Sequence, residues 1–128
     1  MRRIFTLLLL GMAMLAWADN IPESEVKTAD PFVMLDGDTY YCYGTRAGNP
    51  NKGFEAFSSK DLKTWKREGY VIQTGHNLYW APEVYKFDGK YYMYYSANHK
   101  LYVAVADSPL GPFQDVTGTP MVDLHRHP

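Results

Sequence analysis

An all-β fold is predicted for this chain by two similar hairpin segments and by an aromatic-rich composition. Each hairpin places an Asp-Gly turn, Asp36-Gly37 or Asp88-Gly89, between two runs of residues that favour strands. Aromatic residues make up 16% of the sequence and include eleven Tyr. Such a content suits sheets whose faces stack aromatic rings.

The elements recur in the same order in two units. Residues 20–28 are a polar lead-in, and the strands of the two units are predicted at 31–35, 40–44, 54–58 and 65–72, then at 85–87, 91–95 and 102–106. A repeat of about 50 residues with about four short strands per copy is typical of a β-propeller blade. One antiparallel sandwich of eight strands is the alternative.

Two blades do not close a propeller ring, which takes at least about four. We therefore expect this chain to be the first part of a longer propeller, with an assembly of half-propellers as the alternative. Blades bury their faces against their neighbours. An apolar strip of the second blade, drawn from Val84, Tyr92, Tyr94 and Val103, is thus expected to face water in this chain.

A carboxylate lies beside the proline that is predicted to open the first strand of each unit. Asp30 precedes Pro31, and Glu83 follows Pro82. Because the inner strands of a propeller converge on its axis, side chains at the strand starts are expected to face one funnel.

Residues 1–18 have the pattern of a signal peptide. Arg2 and Arg3 precede an apolar run, and Ala16-Trp17-Ala18 forms a cleavage site before Asp19. The pattern predicts a secreted or periplasmic protein, with no membrane attachment after cleavage. An uncleaved N-terminal anchor is the alternative.

Composition argues against several other classes. The net charge is −1 without Lys/Arg runs, which argues against nucleic acid as a partner. Cys42 is the only cysteine, so no intrachain disulfide forms, and a buried inert thiol is expected. His125 and His127 lack a third ligand. We predict neither a metal nor a cofactor.

The motifs resemble glycoside hydrolase family 43 over nearly all of residues 29–122. They are Ala29-Asp30-Pro31, the Trp-terminated turn at 59–65, Trp80-Ala81-Pro82-Glu83, the Tyr-rich hairpin at 88–96, and Ser-Pro-Leu-Gly-Pro-Phe at 108–113. The resemblance, shared in part with sister five-bladed families acting on fructans, implies a secreted five-bladed propeller. Such enzymes hydrolyse arabinose- and xylose-containing plant polysaccharides with inversion. Residues 19–128 would supply about its first two blades.

The resemblance also implies roles for individual residues. Asp30 falls on the general base, and Glu83 and Trp80 fall on the lining of the sugar pocket. Asp123 is the candidate for the Asp that raises the pKa of the acid, although the expected hairpin does not follow it. No residue matches the general acid, which is expected beyond Pro128. The alternatives are a turn-capping Asp30, a solvated Glu83 and a Trp80 that only packs.

We therefore predict a glycosidase of the arabinosidase or xylosidase type whose partner is an oligo- or polysaccharide. The present chain alone is expected to be inactive, because it lacks the acid. A secreted, non-catalytic carbohydrate-binding propeller is the alternative. The sequence leaves the exact sugar, the linkage and the oligomeric state open.

Overall fold

The computed structural model describes residues 20–46 and 49–123, which are all-β apart from one short 3-10 turn at Glu23–Glu25. The strands are β1 (Asn20–Pro22), β2 (Thr28–Asp36), β3 (Thr39–Arg46), β4 (Phe54–Ser59), β5 (Thr64–Ile72), β6 (Trp80–Phe87), β7 (Lys90–Ala97), β8 (Lys100–Ala106), β9 (Gln114–Asp115) and β10 (Val122–Asp123). The predicted signal peptide, 1–18, and His125 and His127 lie outside the described residues. No helix in the described part is long and apolar enough to cross a membrane.

The strands form two antiparallel sheets. The first has the order β1-β5-β4-β3-β2. The second has the order β6-β7-β8, and both β9 and β10 pair with the free edge of β8. Each sheet thus contains one hairpin-connected unit of the predicted repeat, with β2 and β6 as the corresponding first strands. This arrangement confirms the all-β prediction and its two blade-like units.

The predicted turn of the first hairpin is wrong by one residue. Asp36 pairs with Thr39, so the turn residues are Gly37 and Asp38, whereas in the second hairpin they are Asp88 and Gly89. The first turn position needs a positive φ, which Gly37 supplies at 62° and Asp88 at 47°. Asp36 is thereby left at the end of β2 with its side chain available for other contacts.

The lead-in before β2 is more ordered than its polar sequence indicates. β1 pairs with β5, and Ile21 and Val26 pack against a small core of Cys42, Phe57 and Trp65 on the outer face of the first sheet. The prediction of a buried Cys42 is confirmed, and burial raises the pKa of its thiol to about 11.

The main core lies between the two sheets. Tyr43 and Phe54 of the first sheet meet Met93 and Tyr95 of the second, all four of them buried. Phe113 joins them, because its N–H donates to the carbonyl of Val71 at 2.8 Å. This shared core fixes how the two blades pack.

The prediction that Val84 belongs to the exposed apolar strip is wrong. Val84 is buried in the core between the sheets, opposite Met93. Side chains alternate along a strand, so Glu83 and Tyr85 lie on the opposite, open face of the second sheet, together with Tyr94. Tyr94 is exposed, as expected, while Tyr92 and Val103 on the same face are half-buried.

Candidate functional site

Asp30 occupies a β-bulge near the start of β2. Between the Ala29–Thr45 and Phe32–Tyr43 pairs, Asp30 and Pro31 together face the single residue Gly44. Pro31 therefore lies within the strand and does not open it. A bulge accommodates proline because no ladder hydrogen bond is required of it there.

The bulge turns the Asp30 backbone to a φ of 48°. Asp tolerates this left-handed region better than most residues, because its short polar side chain can form local hydrogen bonds. The side chain is exposed, and it forms no hydrogen bond or ion pair with any of the described residues. The lone pairs of its carboxylate are open to solvent.

A matching bulge lies at the start of β6. Between the Trp80–Ser96 and Glu83–Tyr94 pairs, Ala81 and Pro82 share one partner position, and φ at Ala81 is 49°. Asp30 thus corresponds to Ala81, and Glu83 comes after its bulge. The two acids are not equivalent in the repeat, contrary to the pattern suggested by their neighbouring prolines.

Trp80 and Glu83 flank the second bulge on the open face. Trp80 is 40% exposed, and Glu83 is exposed and accepts a hydrogen bond from Tyr85 at 2.8 Å through Oε2. That bond raises the pKa of the Tyr85 hydroxyl. Tyr85 also contacts Phe32 of β2, with ring centroids 5.5 Å apart, so the two inner strands lie side by side.

A buried hydrogen-bond path joins the two bulges. Thr45, which pairs with Ala29, donates from Oγ1 to the carbonyl of Tyr79 at 3.2 Å. Tyr79 directly precedes Trp80 and is 1% exposed, as expected for a packing residue. The residues that neighbour Asp30 and Trp80 in sequence are therefore connected across the two sheets.

A second polar cluster could not be foreseen from the sequence. His76 Nε2 lies 2.9 Å from Asp115 Oδ2, and Tyr95 donates its hydroxyl to the other oxygen of the same carboxylate. Burial raises the pKa of Tyr95, and the bond to Asp115 adds to that shift. These residues come from the β5–β6 loop, β7 and β9, so no local sequence pattern connects them.

Asp123 lies apart from the other predicted site residues. Asp123 lies in β10, and its backbone pairs with Lys100 of β8. This pairing places Asp123 at the same end of the second sheet as Trp80 but on the opposite edge. The order β10-β8-β7-β6 and a strand spacing of about 4.8 Å put it about 14 Å from β6. The fold therefore brings Asp30, Trp80 and Glu83 to adjacent inner strands without Asp123.

Among the residues that the structure describes, no group of three His, Cys, Asp or Glu side chains is placed to hold an ion.

Residues 20–125 match the family described as glycosyl hydrolases family 43. A β-D-galactofuranosidase of Aspergillus niger is 29% identical over 74% of this chain and 34% of its own length. An extracellular exo-α-(1→5)-L-arabinofuranosidase of Cellvibrio japonicus is 30% identical over 58% of this chain and 23% of its own.

Solved structures of related enzymes are also similar to this chain. An endo-1,4-β-xylanase of Bacteroides thetaiotaomicron superposes with a TM-score of 0.65 at 41% identity, covering 73% of this chain and 34% of that enzyme. Structures of this group are five-bladed propellers, so the two sheets correspond to blades of that fold. The chain spans about a quarter to a third of the length of the relatives it matches.

Proposed function

The chain belongs to glycosyl hydrolases family 43, and from this membership we propose that the complete protein is an inverting glycosidase. Its substrates are arabinose- or xylose-containing plant polysaccharides or their oligosaccharides. Relatives named for arabinofuranoside, galactofuranoside and xylan support a furanoside or pentose substrate. The two blades described above carry one side of the sugar site.

The observation that carries the proposal is the environment of Asp30. A general base must accept a proton from the attacking water, and the Asp30 carboxylate is exposed with no partner among the described residues. An inverting site places its acid roughly 6.5–9.5 Å from the base, which leaves room for that water. A residue on another blade of the complete protein would supply the acid.

Trp80 and Glu83 are proposed to hold the sugar. The exposed indole of Trp80 can stack on an apolar sugar face. Glu83 uses Oε2 for Tyr85, which leaves Oε1 to accept a hydrogen bond from a sugar hydroxyl. Because Tyr85 also contacts Phe32 on β2, Glu83 is held next to the strand that carries Asp30.

Asp123 is the proposed modulator of the acid. A second carboxylate near a general acid raises the pKa of that acid by like-charge repulsion. The position of Asp123 at the Trp80 end of the second sheet supports this role, since the acid must act at that end as well.

Secretion is part of the proposal. Its support is the pattern of residues 1–18, together with a relative that is named as extracellular.

The test is Asp30→Asn in the complete protein. Removing a general base lowers kcat by roughly 10²–10⁴, while binding of an arabino- or xylo-oligosaccharide stays close to that of the wild type. Asp38→Asn is the control, because Asp38 is exposed at the opposite end of the same hairpin. Near-normal turnover by Asp30→Asn would refute the base assignment. A wild-type protein that binds these sugars without turnover would support the non-catalytic binding alternative.

A further inference from the structure

We propose that Thr45 is a positioning residue that fixes the spacing between the two bulges and thereby sets Asp30 relative to Trp80. The consequence for catalysis rests on the proposed function. The structural role of Thr45 does not depend on it.

The first part of the argument is the hold of Thr45 on the Asp30 bulge. Thr45 pairs with Ala29, the last residue of β2 to pair with β3 before the bulge. Its carbonyl accepts a hydrogen bond from Thr28 Oγ1 at 3.1 Å. The backbone on the N-terminal side of Asp30 is therefore tied to Thr45 by both strand pairing and a side chain.

The second part is the bond from Thr45 to the other bulge. The Thr45 hydroxyl donates to the Tyr79 carbonyl at 3.2 Å, and both residues are 1% exposed. The Tyr79 carbonyl belongs to the peptide that continues into Trp80. Losing this bond would leave a buried carbonyl without its partner, a penalty that favours movement of the peptide.

The third part is that Tyr79 is itself held firmly. Its N–H donates to Pro50 at 2.8 Å, and its hydroxyl accepts from the N–H groups of Thr74 at 3.0 Å and His76 at 3.1 Å. Its ring packs edge-on against Phe54 with centroids 5.4 Å apart. Because these contacts hold Tyr79 in place, its hydrogen bond with Thr45 is expected to fix the distance between Thr45 and Trp80 as well as to stabilise the fold.

Another hydrogen bond between the two halves provides the comparison. Tyr43, two residues before Thr45 on the same strand, donates its hydroxyl to the carbonyl of Pro109 at 2.7 Å. Tyr43 is fully buried as well. Tyr43 pairs with Phe32 next to the Asp30 bulge, but Pro109 adjoins neither bulge. This bond therefore does not join the two bulges, and its loss should weaken packing without changing the spacing of the site.

The experiment compares Thr45→Val, Thr45→Ser and Tyr43→Phe in the complete protein. Val keeps the shape of Thr without the hydroxyl, and Ser keeps the hydroxyl. Thr45→Val and Tyr43→Phe are both expected to lower Tm. Only Thr45→Val should change the Asp30–Trp80 Cα separation in crystal structures and lower kcat, by about 10- to 100-fold. KM should change little, because the groups that contact the sugar remain present.

Thr45→Ser should restore both kcat and the wild-type separation. If Thr45→Val does not fold, Thr45→Ala replaces it, since Ala also removes the hydroxyl and places no methyl group against the Tyr79 carbonyl. The inference is overturned if the folded variant keeps the wild-type separation and kcat, or if Tyr43→Phe lowers kcat equally. A wild-type protein without turnover defeats the proposed function alone, because the crystallographic separation still decides the role of Thr45.

Discussion

At the scale of single residues, Asp36 shows why two carboxylates on one hairpin have different roles. Asp36 Oδ1 accepts from Lys86 at 2.7 Å and Oδ2 accepts from the Tyr91 hydroxyl, so this side chain joins the two sheets. Asp38 pairs with Lys60 at the surface, where both side chains are mostly exposed. The sequence predicted Asp36 to be a turn residue. Its contact with the second sheet becomes apparent only from the one-residue difference in register.

Replacing Asp36 by Asn is expected to lower the free energy of unfolding of the complete protein by about 1–2 kcal/mol at neutral pH, because two bonds to a charged acceptor are weakened. The bonds from Lys86 and Tyr91 hold the pKa of Asp36 below its usual range. The contribution is therefore present above the unfolded-state pKa of about 3.9 and is lost as pH falls through the folded value. Urea unfolding from pH 7 to pH 3 measures this difference.

Asp38→Asn is the matched control for that series and should leave stability unchanged, since solvent screens an exposed pair. An Asp36→Asn variant whose unfolding free energy equals that of the wild type at pH 7 would show that the link contributes nothing. A difference that grows as pH falls would contradict the sign.

At the scale of elements, the two bulges are the features that the sequence could only partly predict. Strand alternation and the Asp-Gly pairs identified both hairpins, and the motif around Pro31 predicted Asp30 as a candidate site residue, which stays a prediction. The bulge itself was missed because a proline near a strand start is also compatible with a strand that begins there. β1 was missed because three polar-flanked residues carry no periodicity, and their pairing with β5 depends on the rest of the fold.

Gly44 tests the bulge directly. A Cβ at Gly44 would lie 1.9 Å from Thr28 Oγ1 and 2.9 Å from the Ala29 carbonyl, so the start of β2 must move. We expect Gly44→Ala to destabilise the complete protein by about 1–3 kcal/mol, as overpacking does, and to lower kcat because Asp30 moves with the strand. Thermal unfolding and steady-state kinetics measure the two effects.

The added variant Thr28→Ala removes the closest of these contacts. In the Gly44→Ala background it should recover part of the stability, so the two changes are expected to couple and not to add. Strict additivity, or a Gly44→Ala protein with wild-type stability and kcat, would mean that close packing at Gly44 does not fix the bulge.

At the scale of the whole molecule, apolar surface is left open on both outer faces. The open face of the second sheet exposes six large apolar side chains: Trp80, Tyr85, Phe87, Tyr94, Leu101 and Val122. Val33 and Leu35 are exposed on the outer face of the first sheet, where the buried Trp65 Nε1 has no hydrogen-bond partner among the described residues. In a propeller, each blade contacts its neighbours through such faces. The sequence correctly predicted that apolar side chains of the second sheet such as Tyr94 face water, but Val84 was wrongly included among them. Hydrophobicity alone does not tell which face of a strand a residue occupies.

The 128-residue chain produced alone is therefore expected to be neither a stable monomer nor a hydrolase. Burying one large apolar side chain is worth roughly 1.5–3 kcal/mol, and a domain has only about 5–15 kcal/mol in total. Phe87 is 72% exposed, and other large apolar side chains on the open face are exposed as well. The isolated chain therefore does not gain the free energy that burying these side chains would provide. Ultracentrifugation should show aggregates or an expanded species. The chain should also bind a hydrophobic dye strongly, unfold over a broad thermal transition and show no glycosidase turnover.

Replacing Phe87 and Tyr94 by Ser should reduce dye binding by the isolated chain, since both side chains contribute to the open face. A compact, dye-free monomer with a sharp transition would contradict the folding half, and turnover abolished by Asp30→Asn would contradict the catalytic half.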